Sequence, residues 1–114
     1  MIEKLAKAGC RTINFGIEDI HPEILKQINR MPLPLDKILD TVHRCEKAGI
    51  RTSCFFILGL PGSTKQTMQE TIDFSRKLFG SQTEYKIATP FPGTMLYKTA
   101  KEKGWLVHEG FDKL

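Results

Sequence analysis

The chain has 114 residues, 40% of them hydrophobic and 26% charged, with 17 basic against 13 acidic side chains and a formal net charge of +4. No apolar run approaches the ~18 residues of a membrane-spanning helix, and the basic residues alternate with acids rather than with aromatics, which argues against a nucleic-acid patch. The size is that of one domain or part of one, and "MIEKLAKAGC" is amphipathic from its second residue with no signal-peptide core, so a cytoplasmic protein is expected.

Ile2 to Ala8 reads as the end of a helix with Ile2, Leu5 and Ala6 inward, closed by Gly9, the residue type that best takes a left-handed C-terminal cap. Thr12 to Ile17 follows as a strand. His21 to Asn29 is a short helix with Pro22 in its first turn and Ile24, Leu25 and Ile28 on one face. Two prolines break "RMPLPL" into a loop. From Asp36 to Ala48 the set Leu35, Ile38, Leu39, Val42, Cys45 and Ala48 keeps the helical period. Arg51 to Leu58 is a second strand, whose apolar run "CFFIL" suits burial on both faces of a parallel sheet. At its end, Gly59 and Gly62 leave bare backbone, Pro61 stiffens the turn, and Ser63 or Thr64 caps the next helix. That helix runs from Lys65 to Phe79 with Met68, Ile72, Leu78 and Phe79 inward. Glu84 to Thr89 is a third strand, and "PFPGT" turns into a last helix from Met95 to Lys103.

A repeat underlies this order. "KAGCRT" at Lys7 and "KAGIRT" at Lys47 each end a helix at glycine and open a strand. A repeated βα unit points to an α/β fold with three parallel strands and crossover helices. Since a whole (β/α) barrel takes about 250 residues, the chain reads as a fragment of a TIM-like barrel. Its two raw sheet edges predict self-association.

In such barrels chemistry collects at the carboxyl ends of the strands, here "FGIED", "ILGLPGST" and "TPFPGT". A strand end with bare backbone beside a helix N-terminus is a place to hold a ligand. No Ser-His-Asp or Cys-His arrangement is legible. His21, His43 and His108 read as surface or capping histidines, because none lies at a strand end. The three cysteines, Cys10, Cys45 and Cys54, lack the close spacing of metal ligands and read as small buried apolar residues, so no metal site is expected. Glu18 stands apart from the other charges. A carboxylate directly after Phe15-Gly16-Ile17 must be paired with a neighbouring base or face a ligand.

Taken together, "FGIED…EILKQINR", "AGIRTSCFFILGLPGST", "TIDFSRKL" and "TPFPGTMLY" resemble the second half of the barrel of radical S-adenosylmethionine (SAM) enzymes, over about Ala6 to Trp105. The wording of "FFILGLPG" and "TPFPGT" is closest to members with a cobalamin-binding domain ahead of the barrel. The resemblance implies that residues 1–114 are the C-terminal part of a radical SAM core domain, without the half that binds the cluster. It implies that Glu18 touches the SAM ribose or methionine part and that Arg30, twelve positions on, pairs with the SAM carboxylate. Ile57 would lie against adenine with free backbone at Gly59, and the backbone around Thr89 and Pro90 would meet the adenine edge. The parent enzyme would use a [4Fe–4S] cluster, SAM and, in that subgroup, cobalamin, and would make a 5′-deoxyadenosyl radical that abstracts hydrogen from a small-molecule or macromolecular substrate. Substrate contacts would fall mainly in the other half and in the tail after Trp105.

Three departures accompany the resemblance. The CxxxCxxC loop that holds the cluster is not in the chain, Phe55 stands at the first glycine of the "GxIxG" pattern, and Ser63 replaces the glutamate common after "GLPG". The chain alone is therefore expected to be inactive. Two other readings stay open at this point: a non-catalytic truncated barrel used for binding or assembly, and a phosphate-binding (β/α) barrel enzyme suggested by the glycine-rich strand ends.

Overall fold

Three parallel strands in the order β1-β2-β3 form one sheet, with β1 spanning Thr12–Glu18, β2 Arg51–Leu58 and β3 Gln82–Ile87. The structure is a computed structural model and describes residues 1–109. Helix α1 (Ile2–Lys7) precedes the sheet, α2 (Pro22–Gln27) and α3 (Leu35–Lys47) connect β1 to β2, α4 (Lys65–Ser75) connects β2 to β3, and α5 (Met95–Glu102) follows. This is the α/β arrangement of a partial (β/α) barrel. Residues 110–114, within the tail assigned above to substrate contact, lie outside those described.

Both copies of the repeat behave alike. Gly9 and Gly49 take φ of +91° and +80° to end their helices, and the strands they open pair in register, Thr12 with Arg51 and Ile13 with Thr52. Ile17, Val42, Cys54, Phe56, Phe74 and Leu78 make the core. Cys54 and Phe56 of β2 face Val42 of α3 and Phe74 of α4, and Phe56 stacks on Tyr85 of β3 with ring centroids 5.9 Å apart. A fully buried phenylalanine contributes roughly 2–3 kcal/mol by area. At the amino ends of the strands, Glu46 of α3 accepts hydrogen bonds from the backbone and hydroxyl groups of both Thr52 and Ser81. Burial alone would raise the Glu46 carboxyl, but these donors outweigh it and hold it below its ordinary value. The clamp ties α3 to β2 and to the loop before β3.

Several boundaries differ from the sequence expectation. The β2 strand is buried on one face only: Thr52, Cys54 and Phe56 are covered, whereas Ser53, Phe55 and Ile57 are half-buried, because α3 and α4 pack on the same side of the sheet. The third strand runs Gln82–Ile87 rather than Glu84–Thr89, since its pairing begins at Ser53 and ends where β2 ends, at Leu58 opposite Ile87. Helix α4 stops at Ser75 and buries Thr71, Phe74 and Ser75. Leu78 takes the inward place beyond it, and Phe79 is 83% exposed because a φ of +50° turns the chain outward there. Leu5 of α1 is exposed, since no strand among the described residues lies beyond β1 to cover it. Cys45 and Cys54 are buried as expected and Cys10 is half-buried. No helix among the described residues is long and apolar enough to cross a membrane.

Candidate functional site

The carboxyl ends of the three strands bring the expected residues together in two groups. The first is built around Gly16. Pairing with β2 is irregular between Gly16 and Glu18, so Ile17 turns into the core while Glu18 takes a φ of +67°. For a residue with a Cβ that conformation costs roughly 1–2 kcal/mol. It swings the Glu18 side chain back over Gly16: a Cβ at Gly16 would stand 2.8 Å from Glu18 Oε1 and 3.9 Å from Arg30 Nη2. Arg30 Nη2 donates to the Gly16 carbonyl at 2.7 Å. The ion pair between Glu18 and a neighbouring base, the structural alternative, does not form among the described residues. Among the described residues the Glu18 carboxylate has no hydrogen bond or ion pair. A strained, unpaired carboxylate thus stands beside a guanidinium with donors to spare.

The second group joins β2 and β3. Gly59 has a φ of +83° and open space where a Cβ would be, so its backbone conformation alone requires glycine. Gly59 and Pro90 line one cleft of about 440 Å³ with Leu60, Ser63, Leu96 and Trp105. The Ser63 hydroxyl is buried there with no partner among the described residues. Thr64 caps α4 through a reciprocal box with Thr67. Thr89 is exposed at the rim and turns its hydroxyl to the Ile87 carbonyl at 3.1 Å, while its own carbonyl accepts from the Phe91 N–H at 3.0 Å and its N–H makes no backbone bond among the described residues outside the strand ladder. Ile57 stands between the two groups, on the face of β2 that no helix covers. Gly16 and Arg30 also line a cavity of about 380 Å³ along the free edge of β1, with Phe15, Ile20, Ile38 and Val42.

One constellation was not expected. His21 stands at the N-cap of α2, as expected, but its ring makes no cap bond: the side chain is only 14% exposed and bridges two carboxylates. Nδ1 lies 2.7 Å from Asp19 Oδ1 and Nε2 lies 2.7 Å from Glu70 Oε2. Carboxylates only accept, so both contacts are satisfied together when both ring nitrogens donate, as they do in the imidazolium. Burial would lower the His21 pKa, but the bonds to Glu70 and Asp19 outweigh it and raise it. Asp19 Oδ1 also accepts from the His21 backbone at 2.8 Å. That local turn was the legible signal, an aspartate two residues before the N-cap of a helix. Glu70 lies 49 residues away.

Chemically, the site offers an acceptor for hydroxyls or an ammonium at Glu18, a donor for a carboxylate at Arg30, an apolar floor at Ile57 and backbone groups at Gly59 and Thr89. That donor set fits a nucleoside joined to an amino acid. It does not fit a cluster: among the described residues no group of three His, Cys, Asp or Glu could hold a metal. Burial first, then the charges of Glu46 and Cys45, push the Cys54 thiol up to about 11, so it is not a thiolate at neutral pH.

A family model described as the Radical SAM superfamily matches residues 1–75. The uncharacterized methyltransferase PH0819 of Pyrococcus horikoshii is 40% identical over 102 residues, 86% of this chain and 22% of that protein. Bacteriochlorophyllide d C-8(2)-methyltransferase of Chlorobaculum tepidum is 27% identical over 98% of this chain and 25% of its own length. The radical S-adenosylmethionine methyltransferase TsrM of Kitasatospora setae, solved with cobalamin and a [4Fe–4S] cluster bound, superposes with a TM-score of 0.78 at 25% identity over 96% of this chain and 22% of that one. The chain therefore spans about a quarter of the length of the curated relatives it matches.

Proposed function

The chain belongs to the radical SAM superfamily, and on that premise we propose that it is the C-terminal part of a radical SAM core domain and holds SAM for a larger enzyme. The observation that carries this reading is the unpaired Glu18 carboxylate, held at positive φ over Gly16 beside Arg30. Glu18 accepts from the ribose hydroxyls or the ammonium of SAM, and Arg30 donates to its carboxylate. Ile57 packs against the adenine, while the backbone at Gly59 and at Thr89–Pro90 meets the adenine edge. The chemistry supplied by the bound groups is one-electron reduction of SAM by a [4Fe–4S] cluster, giving methionine and a 5′-deoxyadenosyl radical. The cluster ligands belong to the part of the parent barrel outside this chain. Free thiols and an oxygen-labile cluster suit a reducing cytoplasm.

A second reading concerns the outcome. The relatives above are methyltransferases by name, and one was solved with cobalamin bound, which favours methyl transfer in a parent that also holds cobalamin. Both readings are tested on the anaerobically purified parent protein by measuring SAM binding, cobalamin content and the products formed with a one-electron reductant. 5′-Deoxyadenosine marks radical chemistry, and S-adenosylhomocysteine marks SAM used as methyl donor. A parent that lacks CxxxCxxC, or that binds sugar phosphates and not SAM, would overturn the proposal. A parent that binds neither would be a binding or assembly module.

Alone, the 114-residue chain leaves the outer edges of β1 and β3 unpaired among the described residues. It is expected to self-associate through them. Light scattering at rising concentration should show dimers or larger species, and a monomer throughout would contradict this.

A further inference from the structure

Strand alternation sorts the side chains at the top of the sheet. Phe56 and Tyr85 stack on the face that α3 and α4 cover, so Phe55 and Ile57, with their partners Glu84 and Lys86, stand on the other face. The Lys86 ammonium lies 5.7 Å from the centroid of the Phe55 ring. Phe55 pairs on its other side with Gly16, over which the Glu18 carboxylate folds. The uncovered face thus carries, on three neighbouring strands, a carboxylate over Gly16, the Phe55 ring and, diagonally across from that ring on β3, the Lys86 ammonium. In a closed barrel this face is the interior, where a charge has to meet an opposite charge. Glu84, the acid on the same face of β3, is held by Gln82 at 2.7 Å. Lys86 has no ion pair among the described residues.

We infer that Lys86, held over Phe55, is the anion-recognition group of the parent enzyme's substrate site, and that the substrate carries a carboxylate or phosphate there. The inference rests on the SAM reading above: with the SAM carboxylate at Arg30, the only other charges of SAM are positive, so the partner of Lys86 belongs to a second ligand. A lysine suits this task because it is a point charge with three rotatable donors and imposes no planar geometry on its partner. The Phe55 ring lies under the ammonium and beside the SAM pocket, so it forms the floor between cofactor and substrate. Phe55 thereby has a use at a position where glycine is the family pattern.

The test uses the parent holoprotein with saturating SAM and follows the labelling rate of Lys86 by an amine-reactive ester, read by mass spectrometry. Inorganic phosphate and acetate are the probes, at constant ionic strength with chloride as control. At least one probe is expected to slow Lys86 labelling fivefold or more, phosphate pointing to a phosphorylated substrate and acetate to a carboxylate. Lys86→Met should weaken binding of that probe at least tenfold and leave SAM affinity within twofold, while Lys86→Arg retains the probe. Protection by neither probe would overturn the inference. So would a Lys86→Met variant that melts lower with probe affinity unmoved, because Lys86 would then pair with an acid elsewhere in the barrel. A variant with weakened SAM affinity would assign Lys86 to the cofactor and overturn it too. Glu18→Ala in the same assay separates the premise: unchanged SAM affinity there would remove the SAM reading, whatever Lys86 does.

Discussion

Glu18→Gly is expected to leave the stability of the fold within about 1 kcal/mol of the parent protein while weakening SAM binding roughly 10- to 100-fold. The two effects have separate causes. Glycine relieves the strain of a φ of +67°, worth roughly 1–2 kcal/mol, and loses about as much through the greater freedom of the unfolded chain. The lost carboxylate removes a charged hydrogen bond to the ligand, about 1.5–3 kcal/mol. Arg30→Ala should weaken SAM to a similar extent, and Arg30→Lys should recover only part, since lysine cannot make two parallel bonds to a carboxylate. Gly16→Ala probes the same point from below. Its Cβ would stand 2.8 Å from Glu18 Oε1, the far end of a flexible side chain, so the fold should tolerate it while the carboxylate is displaced. Cluster content should not change in any of these variants, because none alters a thiolate. Calorimetric SAM affinity and melting temperature, measured together, decide the matter. Unaltered affinity with a lowered melting temperature would make Glu18 and Arg30 structural residues.

The repeat made the fold legible because both copies carry the same physical instruction: a helix stopped by a glycine at positive φ, then a strand. β2 was bounded correctly because its apolar run ends in glycine. β3 was not, because "QTEYKI" puts few apolar residues in sequence while the sheet needs only the pairing from Ser53 to Leu58. Phe79 was misplaced for a related reason: helical period pointed it inward, but the helix ends four residues earlier and Leu78 fills the core. In the site, Glu18 was singled out from its position alone, as a charge after buried residues. Its positive φ and its proximity to Arg30 were not derivable from spacing, because they depend on an irregular pairing with β2. Contacts that cross many residues left no local trace at all, as with His21 and Glu70.

His21→Ala is expected to destabilise the fold by about 2–3 kcal/mol near pH 6, the range for losing hydrogen bonds to charged groups when one partner stays buried. The Asp19 side chain is 1% exposed, and alanine would leave it only the backbone N–H of residue 21 as a donor. The effect should depend on pH in one direction. The His21 pKa is raised in the folded state, because the bonds to Glu70 and Asp19 outweigh desolvation. A raised pKa contributes stability that is fully present below the unfolded value of about 6.5 and is lost as pH climbs through the folded value. On the acid side, the bond to His21 lowers the Glu70 carboxyl from 4.5, so that half of the bridge persists above this value and fails as the pH falls below it. The difference between wild type and His21→Ala should therefore be greatest between about pH 5 and 6.5 and shrink at pH 8.5. Glu70→Gln should reproduce the pH trend with a smaller loss, since Glu70 is half exposed and water replaces it. The bridge holds the turn that follows Glu18 against α4, so loosening it should also weaken SAM binding along the same pH profile. Denaturant midpoints of wild type and variant at pH 6 and 8.5 are the measurement. A difference that stays flat between them would mean that His21 is held by packing, with no charge on its ring.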